Sequence, residues 1–251
     1  MRSSPSQAGG SGSDYYMKFL SSPEYRESRL RKAAVLATIM GDEIRAAAVV
    51  GDVGSGTGLL KGELERICGR RILGFEVDPG IPIERRRTCV ADGARLPVSD
   101  ASFDFLILNH VYEHVNEPRK LFAEVLRVLK PGGQAYVTAG SRWAIVEPHY
   151  RLPFLSWLPT GLADRYVRGT GRGRDYSGIR FLGYGPLRRT MDVPGLQAAD
   201  ITERAIRSAL EWGAGRSWRP LWGLLSRLPA GARKRILRWG PQWFFLLTRR
   251  D

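Results

Sequence analysis

The amino-acid sequence predicts an α/β fold, a doubly wound and mostly parallel sheet with helices on both faces. Three observations predict it. From Ala48 to Ala139 short apolar runs alternate with helical stretches, the pattern of a parallel sheet covered on two sides. The first run ends in a glycine-rich turn, Gly54, Gly56 and Gly58, and a helical stretch follows it. A chain of 251 residues with 43% hydrophobic content fits one large core better than two independent ones.

Residues 1–13 are rich in Ser and Gly and lack the basic and apolar regions of a secretory signal, so they read as a flexible tail. Residues 14–251 read as a single domain. Within it, 14–40 predict a helical cover, with Tyr15, Tyr16, Phe19 and Leu20 before a Ser-Ser-Pro break and Leu30, Ala33, Ala34 and Ala37 after it. Residues 48–140 predict the ligand-binding core. Ala48–Val53 and Arg71–Val77 flank a helix over Leu59–Cys68, which makes a βαβ unit. A weak strand around Thr88–Val90, a strand over Phe103–Leu108 and a helix over Pro118–Leu129 come next. Lys130–Gly133, KPGG, reads as a helix stop before a strand over Gln134–Ala139.

The alternation then fails. Ser141–Leu187 is rich in Pro, Gly, Arg and aromatics without a clean period, and its length predicts a lid or substrate-binding insertion. A short helix near Gly185–Met191 follows. Residues 196–251 predict C-terminal strands, Leu196–Arg204 and Gln242–Thr248, with a helical insertion at 207–240.

Charge narrows the partners. Of the net +14, residues 1–150 carry 20 Lys/Arg against 18 Asp/Glu, and residues 151–251 carry 19 against 7. Such asymmetry points to an acidic partner or a solvated basic surface. No run reaches the roughly 20 apolar residues of a membrane-spanning helix. Cys68 and Cys89 have neither metal spacing nor disulfide density, and a cytoplasmic location is the expectation. Trp218, Leu221, Trp222, Leu225 and Leu228 form a helical apolar stripe among arginines. Such a stripe packs on its own domain or lies in a membrane interface. The second case would place the protein at the inner face of the membrane, touching it through 216–239.

The glycine turn, VVGDVGSGTG at Val49–Gly58, lets a backbone approach a ligand closely and presents helix N-terminal N–H groups to an anionic group. Its G-x-G-x-G spacing differs from the G-x-G-x-x-G register of a dinucleotide site, and the Lys-Ser/Thr pair of a P-loop is missing. Asp52 would repel a pyrophosphate but could hold an ammonium, which favours an amino-acid-bearing cofactor.

These residues resemble motif I of the class I, Rossmann-like S-adenosylmethionine-dependent methyltransferases. Later landmarks resemble the same family in order and spacing, and they cover Val49 to Thr138. Glu76 ends the second strand, where the family keeps an acidic residue for the ribose hydroxyls; a carboxylate suits a vicinal diol because it offers two acceptor oxygens. ADGARLPVSDASFDFLILNHVYEHV, Ala91–Val115, is similar to the family's adenine-binding turn and fourth strand, and EVLRVLKPGGQAYVT, Glu124–Thr138, to its next helix, turn and strand.

The resemblance implies a seven-stranded sheet, S-adenosyl-L-methionine as cofactor and the broad small-molecule, type-11-like branch. It implies cofactor contacts from Asp52, Gly54, Ser55, Gly56, Glu76, Asp92, Gly93 and Asn109. HVYEH, His110–His114, also satisfies the H-x-x-E-H metal pattern of one protease class. The family commonly carries a similar segment, however, and no metal is expected.

Methyl transfer from a sulfonium is an in-line displacement that needs a base only when the nucleophile begins as a hydroxyl. His149 is the first candidate base and His110 the second, with Tyr150 and Glu147 behind them. The expectation is methylation of a small or lipid- or glycan-linked acceptor, at oxygen. The alternatives are a nucleic-acid methyltransferase and a non-catalytic S-adenosylmethionine-binding protein. A nucleic-acid partner is disfavoured because the fourth strand ends in Asn-His-Val rather than an N-P-P-Y-type base-flipping signature. The oligomeric state stays open.

Overall fold

The computed structural model describes residues 20, 22–81, 87–213 and 219–251. The predicted tail 1–13, the first part of the predicted cover with Tyr15, Tyr16 and Phe19, and Arg216 and Trp218 of the stripe lie outside the described residues.

The cover helix α1 is Pro23–Ala46, which starts at the Ser-Ser-Pro break and runs past the expected end at residue 40. Ser22 caps it by accepting the Tyr25 N–H at 3.1 Å, and Pro23 occupies the first turn, where its missing N–H costs nothing. The core then follows as β1 (Val50–Val53), α2 (Leu59–Cys68), β2 (Ile72–Glu76), β3 (Thr88–Val90), β4 (Phe103–Asn109), α3 (Pro118–Val128) and β5 (Leu129–Gly140). After β5 come a small hairpin, β6 (Val146–Glu147) with β7 (Leu152–Pro153), then α4 (Thr160–Gly169) and α5 (Tyr184–Thr190). The chain ends with β8 (Leu196–Asp200), α6 (Thr202–Glu211), α7 (Arg219–Leu225), α8 (Ala230–Leu237) and β9 (Gln242–Arg249).

Seven strands form one sheet in the order β3-β2-β1-β4-β5-β9-β8. Pairing is parallel from β3 through β5, and β9 runs antiparallel to both β5 and β8. The expected doubly wound sheet is therefore present, with β9 inserted as a hairpin partner. Alternate residues feed two apolar layers. Leu106, Leu108, Trp243, Phe245 and Leu247 pack with α3 on one face, while Phe105, Ile107, Val50 and Ile72 pack with α1 and α2 on the other.

Three expectations change. KPGG follows the end of α3 at Val128, as a helix stop should, but it lies inside β5, which starts at Leu129 rather than at Gln134. The β4–β5 register jumps from Phe103↔Leu129 to Phe105↔Gln134, because Gly132 is left-handed at φ +74° and Gly133 sits where a Cβ would be 2.8 Å from the Lys130 carbonyl. The strand expected over Leu196–Arg204 stops at Asp200, whose carboxylate accepts the Thr202 N–H at 2.9 Å and starts α6. The helical insertion expected at 207–240 contains breaks, and α7 has no buried residue. The apolar stripe is thus cut after Leu225 and does not pack as one helix face. No helix among the described residues is long and apolar enough to cross a membrane.

Candidate active site

The site lies at the C-terminal edge of the parallel strands, where open α/β sheets bind ligands. β1 is buried along its whole length and delivers the chain into a turn of left-handed glycines, with φ +68° at Gly54, +52° at Gly56 and +79° at Gly58. A Cβ on Gly54 would stand 2.9 Å from Val111 Cγ2, so both sterics and φ reserve this position for glycine. Glu76, at the end of β2, closes the turn. One carboxylate oxygen accepts the Gly56 N–H at 2.7 Å and the other accepts the Val77 N–H at 2.9 Å.

Asp52 is 2% exposed in β1. Burial pushes its carboxyl up to about 7; the Lys61 cation opposes the shift, and the neighbouring Glu76 charge adds to it. A buried acid in that position gains from a cation brought to it. Ser55 Oγ and Thr57 Oγ1, also buried, have no hydrogen-bond partner, an arrangement that leaves polar groups for a ligand to satisfy.

Asp92 is exposed, and its Oδ1 accepts the Ala94 N–H at 2.9 Å. Gly93 packs tightly, since a Cβ there would lie 2.9 Å from Val53 Cγ1. Asn109 ends β4 opposite Thr138. The glycine turn, Asp52, Glu76 and Gly93 therefore come together around the end of β1, while Asp92 stands on the exposed loop beside them.

All three histidines of the chain meet in one cluster. His110 adopts a left-handed backbone, φ +59°, immediately after β4, and its Nδ1 lies 2.9 Å from Glu113 Oε1. Tyr112–His114 form a single 3-10 turn, so H-x-x-E-H does not lie on a continuous helix. No group of three or more potential metal ligands occurs among the described residues.

His149 sits in the β6–β7 hairpin with Nδ1 2.7 Å from Glu147 Oε1. Glu147 is fully buried, and its second oxygen accepts the Tyr150 N–H at 2.6 Å. It is a partner of His149 rather than an independent base. Tyr150 donates its hydroxyl to the Asp175 carbonyl at 3.0 Å. The His114 and His149 rings meet edge to face at 5.0 Å.

Residues 180–182 draw the hairpin onto the sheet edge. Arg180 N–H donates to Glu113 O at 2.7 Å and Leu182 N–H to the Tyr112 hydroxyl at 3.1 Å. Between them Phe181 lies over Gly140, where a Cβ would come within 2.3 Å of its ring, and its ring centre is 5.8 Å from that of His149.

Burial holds the His110 imidazole below its ordinary value, and the Lys32 cation from α1 lowers it further. Neutral His110 donates Nδ1–H to the Glu113 carboxylate. Burial opposes the charge on Glu113, but this hydrogen bond holds its carboxyl below the usual range. Lys32 is itself pushed down to about 7 by burial and by the Arg29 charge. Sequence reasoning missed Lys32 and Arg29; only the docking of α1 on the sheet carries them to the cluster. Glu113 was visible only as part of the metal pattern.

Residues 51–137 match the family model described as a methyltransferase domain. Over those residues the chain is similar to S-adenosylmethionine-dependent methyltransferases. The cofactor of such a domain is S-adenosylmethionine, and the left-handed glycine cradle, the unpartnered Ser55 and Thr57 hydroxyls and buried Asp52 fit that ligand.

The chain is 36% identical over 129 residues to an uncharacterized methyltransferase of Mycolicibacterium paratuberculosis, covering 48% of this chain and 50% of that one. It is 37% identical over 93 residues to a malonyl-[acyl-carrier protein] O-methyltransferase of Hahella chejuensis, covering 33% of each. The chain thus spans half or less of the length of these curated relatives. Its fold is similar to that of a crystallised SAM-dependent methyltransferase from Thermotoga maritima, with a TM-score of 0.52 and 17% identity over 94% of this chain and 99% of that one.

Proposed function

We propose that this protein transfers the methyl group of S-adenosylmethionine to an oxygen of a small or lipid- or glycan-linked acceptor, with His149 as the base. The observation that carries the reading is the cluster of His110, His114 and His149 with Glu113 and Glu147 on the sheet edge that bears the glycine turn. Similarity to an O-methyltransferase acting on malonyl-[acyl-carrier protein] supports oxygen as the acceptor atom.

When bound, S-adenosylmethionine supplies an electrophilic methyl carbon on a sulfonium. Asp52 would hold its ammonium, Glu76 its ribose hydroxyls, Gly54, Ser55 and Gly56 its amino-acid end, and Asp92, Gly93 and Asn109 the adenine side. Glu147 accepts the Nδ1 proton of His149, so Nε2 carries the lone pair that takes the acceptor's hydroxyl proton. Buried Glu147 then stabilises the imidazolium, as the carboxylate of a catalytic triad does. His110, held neutral by its surroundings, would be the second proton acceptor. The 141–187 excursion would act as a lid that excludes water from the reacting pair, and a peripheral membrane contact through 216–239 would bring the protein to lipid-linked acceptors.

The test combines calorimetry with methyl-labelled S-adenosylmethionine and a panel of hydroxylated acceptors. His149→Ala should lower label transfer by about 10²–10⁴-fold while cofactor affinity stays as in the parent. Undetectable cofactor binding, or full transfer by His149→Ala, would sink the corresponding half of the proposal.

A further inference from the structure

Parts of two excursions from the sheet, residues 141–163 and 219–240, meet at Trp143. Its ring centre is 5.6 Å from that of Trp157 in the first and 5.4 Å from that of Trp239 in the second. Around this junction large apolar side chains face solvent: Trp239 is 67% exposed, Ile145 63%, Phe154 48%, Ile236 45% and Trp157 40%. Phe154 reaches this position from a left-handed backbone, φ +55°, which is costly for a bulky residue, and its N–H donates to Ile145 O at 2.7 Å. Buried Arg233 ties α8 to the turn that follows α7 by donating to the Leu228 carbonyl at 2.9 Å, and it pairs with Glu203 at 2.8 Å.

The exposed charges of these two segments have one sign. Residues 219–240 contain no Asp or Glu. Residues 141–163 contain only Glu147, which is buried against His149. The exposed charged side chains of the two segments are Arg142, Arg151, Arg219, Arg227, Lys234, Arg235 and Arg238; the carboxylates beside them are Glu203, paired with buried Arg233, and Asp200, which accepts the Tyr184 hydroxyl. An aromatic, apolar surface with an excess of exposed cations beside it matches the interface of an anionic bilayer, where apolar side chains enter the acyl boundary and arginines meet headgroup phosphates.

We infer that the two excursions together form one docking face for an anionic lipid surface, wider than the Trp/Arg helical stripe alone. The hairpin that supplies its apolar rim also carries His149. On the methyl-transfer reading above, on which this part rests, a docked enzyme takes an amphiphilic acceptor whose anchor stays in the bilayer.

The experiment is co-sedimentation of the full chain with phosphatidylcholine vesicles, with and without phosphatidylglycerol, across a salt series. Binding is expected to the anionic vesicles only and to weaken as salt rises. The double variant Phe154→Ser/Trp239→Ser should bind at least ten-fold more weakly. Arg227→Gln and Arg235→Gln should each weaken binding roughly five-fold. Circular dichroism and cofactor calorimetry on each variant separate lost docking from lost folding, and vesicle binding needs no acceptor, so its outcome is independent of methyl transfer. Absence of sedimentation with anionic vesicles, equal binding to both vesicle types, or full binding by a folded double variant overturns the inference. So does self-association of the parent that the double variant abolishes, which would assign the face to a second copy of the chain.

Discussion

Replacing Asp52 by Asn should stabilise the cofactor-free protein and cripple its cofactor site. Asp52 is 2% exposed, and its carboxyl is pushed from 3.8 up to about 7, chiefly by burial. The charged form is therefore disfavoured in the folded chain, and the unfolded chain gives up its proton more readily. The stability associated with this group is fully present below the unfolded value near 4 and is lost as pH rises toward 7. The rise from 3.8 to about 7, at 1.36 kcal/mol for each tenfold change in proton affinity, sets the loss above pH 7 at about 4 kcal/mol. Asn mimics the protonated carboxyl at every pH, so its advantage should grow from near zero below pH 4 to a plateau of about 4 kcal/mol above pH 7. Urea unfolding of both proteins between pH 4 and pH 9 measures it. The same variant should bind S-adenosylmethionine about 10- to 100-fold more weakly, the worth of one hydrogen bond to a charged group. An Asp52→Asn variant no more stable than the parent at pH 8, or one with undiminished cofactor affinity, would refute this reasoning.

Two further changes test the packing around the site. Lys32→Met removes the cation that, after burial itself, holds the His110 imidazole down; its titration followed by histidine-ring NMR should move to higher pH, and a move to lower pH would contradict the assignment. Gly51→Ala places a Cβ 2.7 Å from Leu106 Cδ2 and 2.9 Å from Phe103 Cε1 in the packed layer under β1. Overpacking should cost about 1–3 kcal/mol and lower the melting temperature by several degrees, and an unchanged melting curve would show that the layer yields freely.

Much of the cofactor half was legible because its signals are local. A run such as FDFLILN, apolar on both faces, can bury itself only in the middle of a covered sheet, and glycines at alternate positions after a strand announce a turn that other residues cannot make. KPGG announced the helix end but hid the strand start: glycine and proline mark a break in regular backbone but do not say whether the chain leaves the sheet or bulges within it. The Leu196–Arg204 run failed at Asp200, where a side-chain turn onto the Thr202 N–H outweighed β-propensity. His149 and His110 were recognisable as reactive types, yet from the sequence they competed for one role. Folded, each has its own glutamate, and His114 adjoins His149.

The order of elements, the parallel core and the glycine turn that announces S-adenosylmethionine were determined by sequence alone, because each follows from preferences spanning a few consecutive residues. The histidine cluster and the composite cationic face were decided only by tertiary structure. Lys32, Glu113, His149 and Phe181 lie far apart along the chain, and packing of α1 and the 141–187 excursion onto one sheet edge brings them together. Trp143 joins Trp157 to Trp239 in the same way. Such contacts depend on how irregular segments fill the space that a regular sheet leaves open, and no local pattern encodes that.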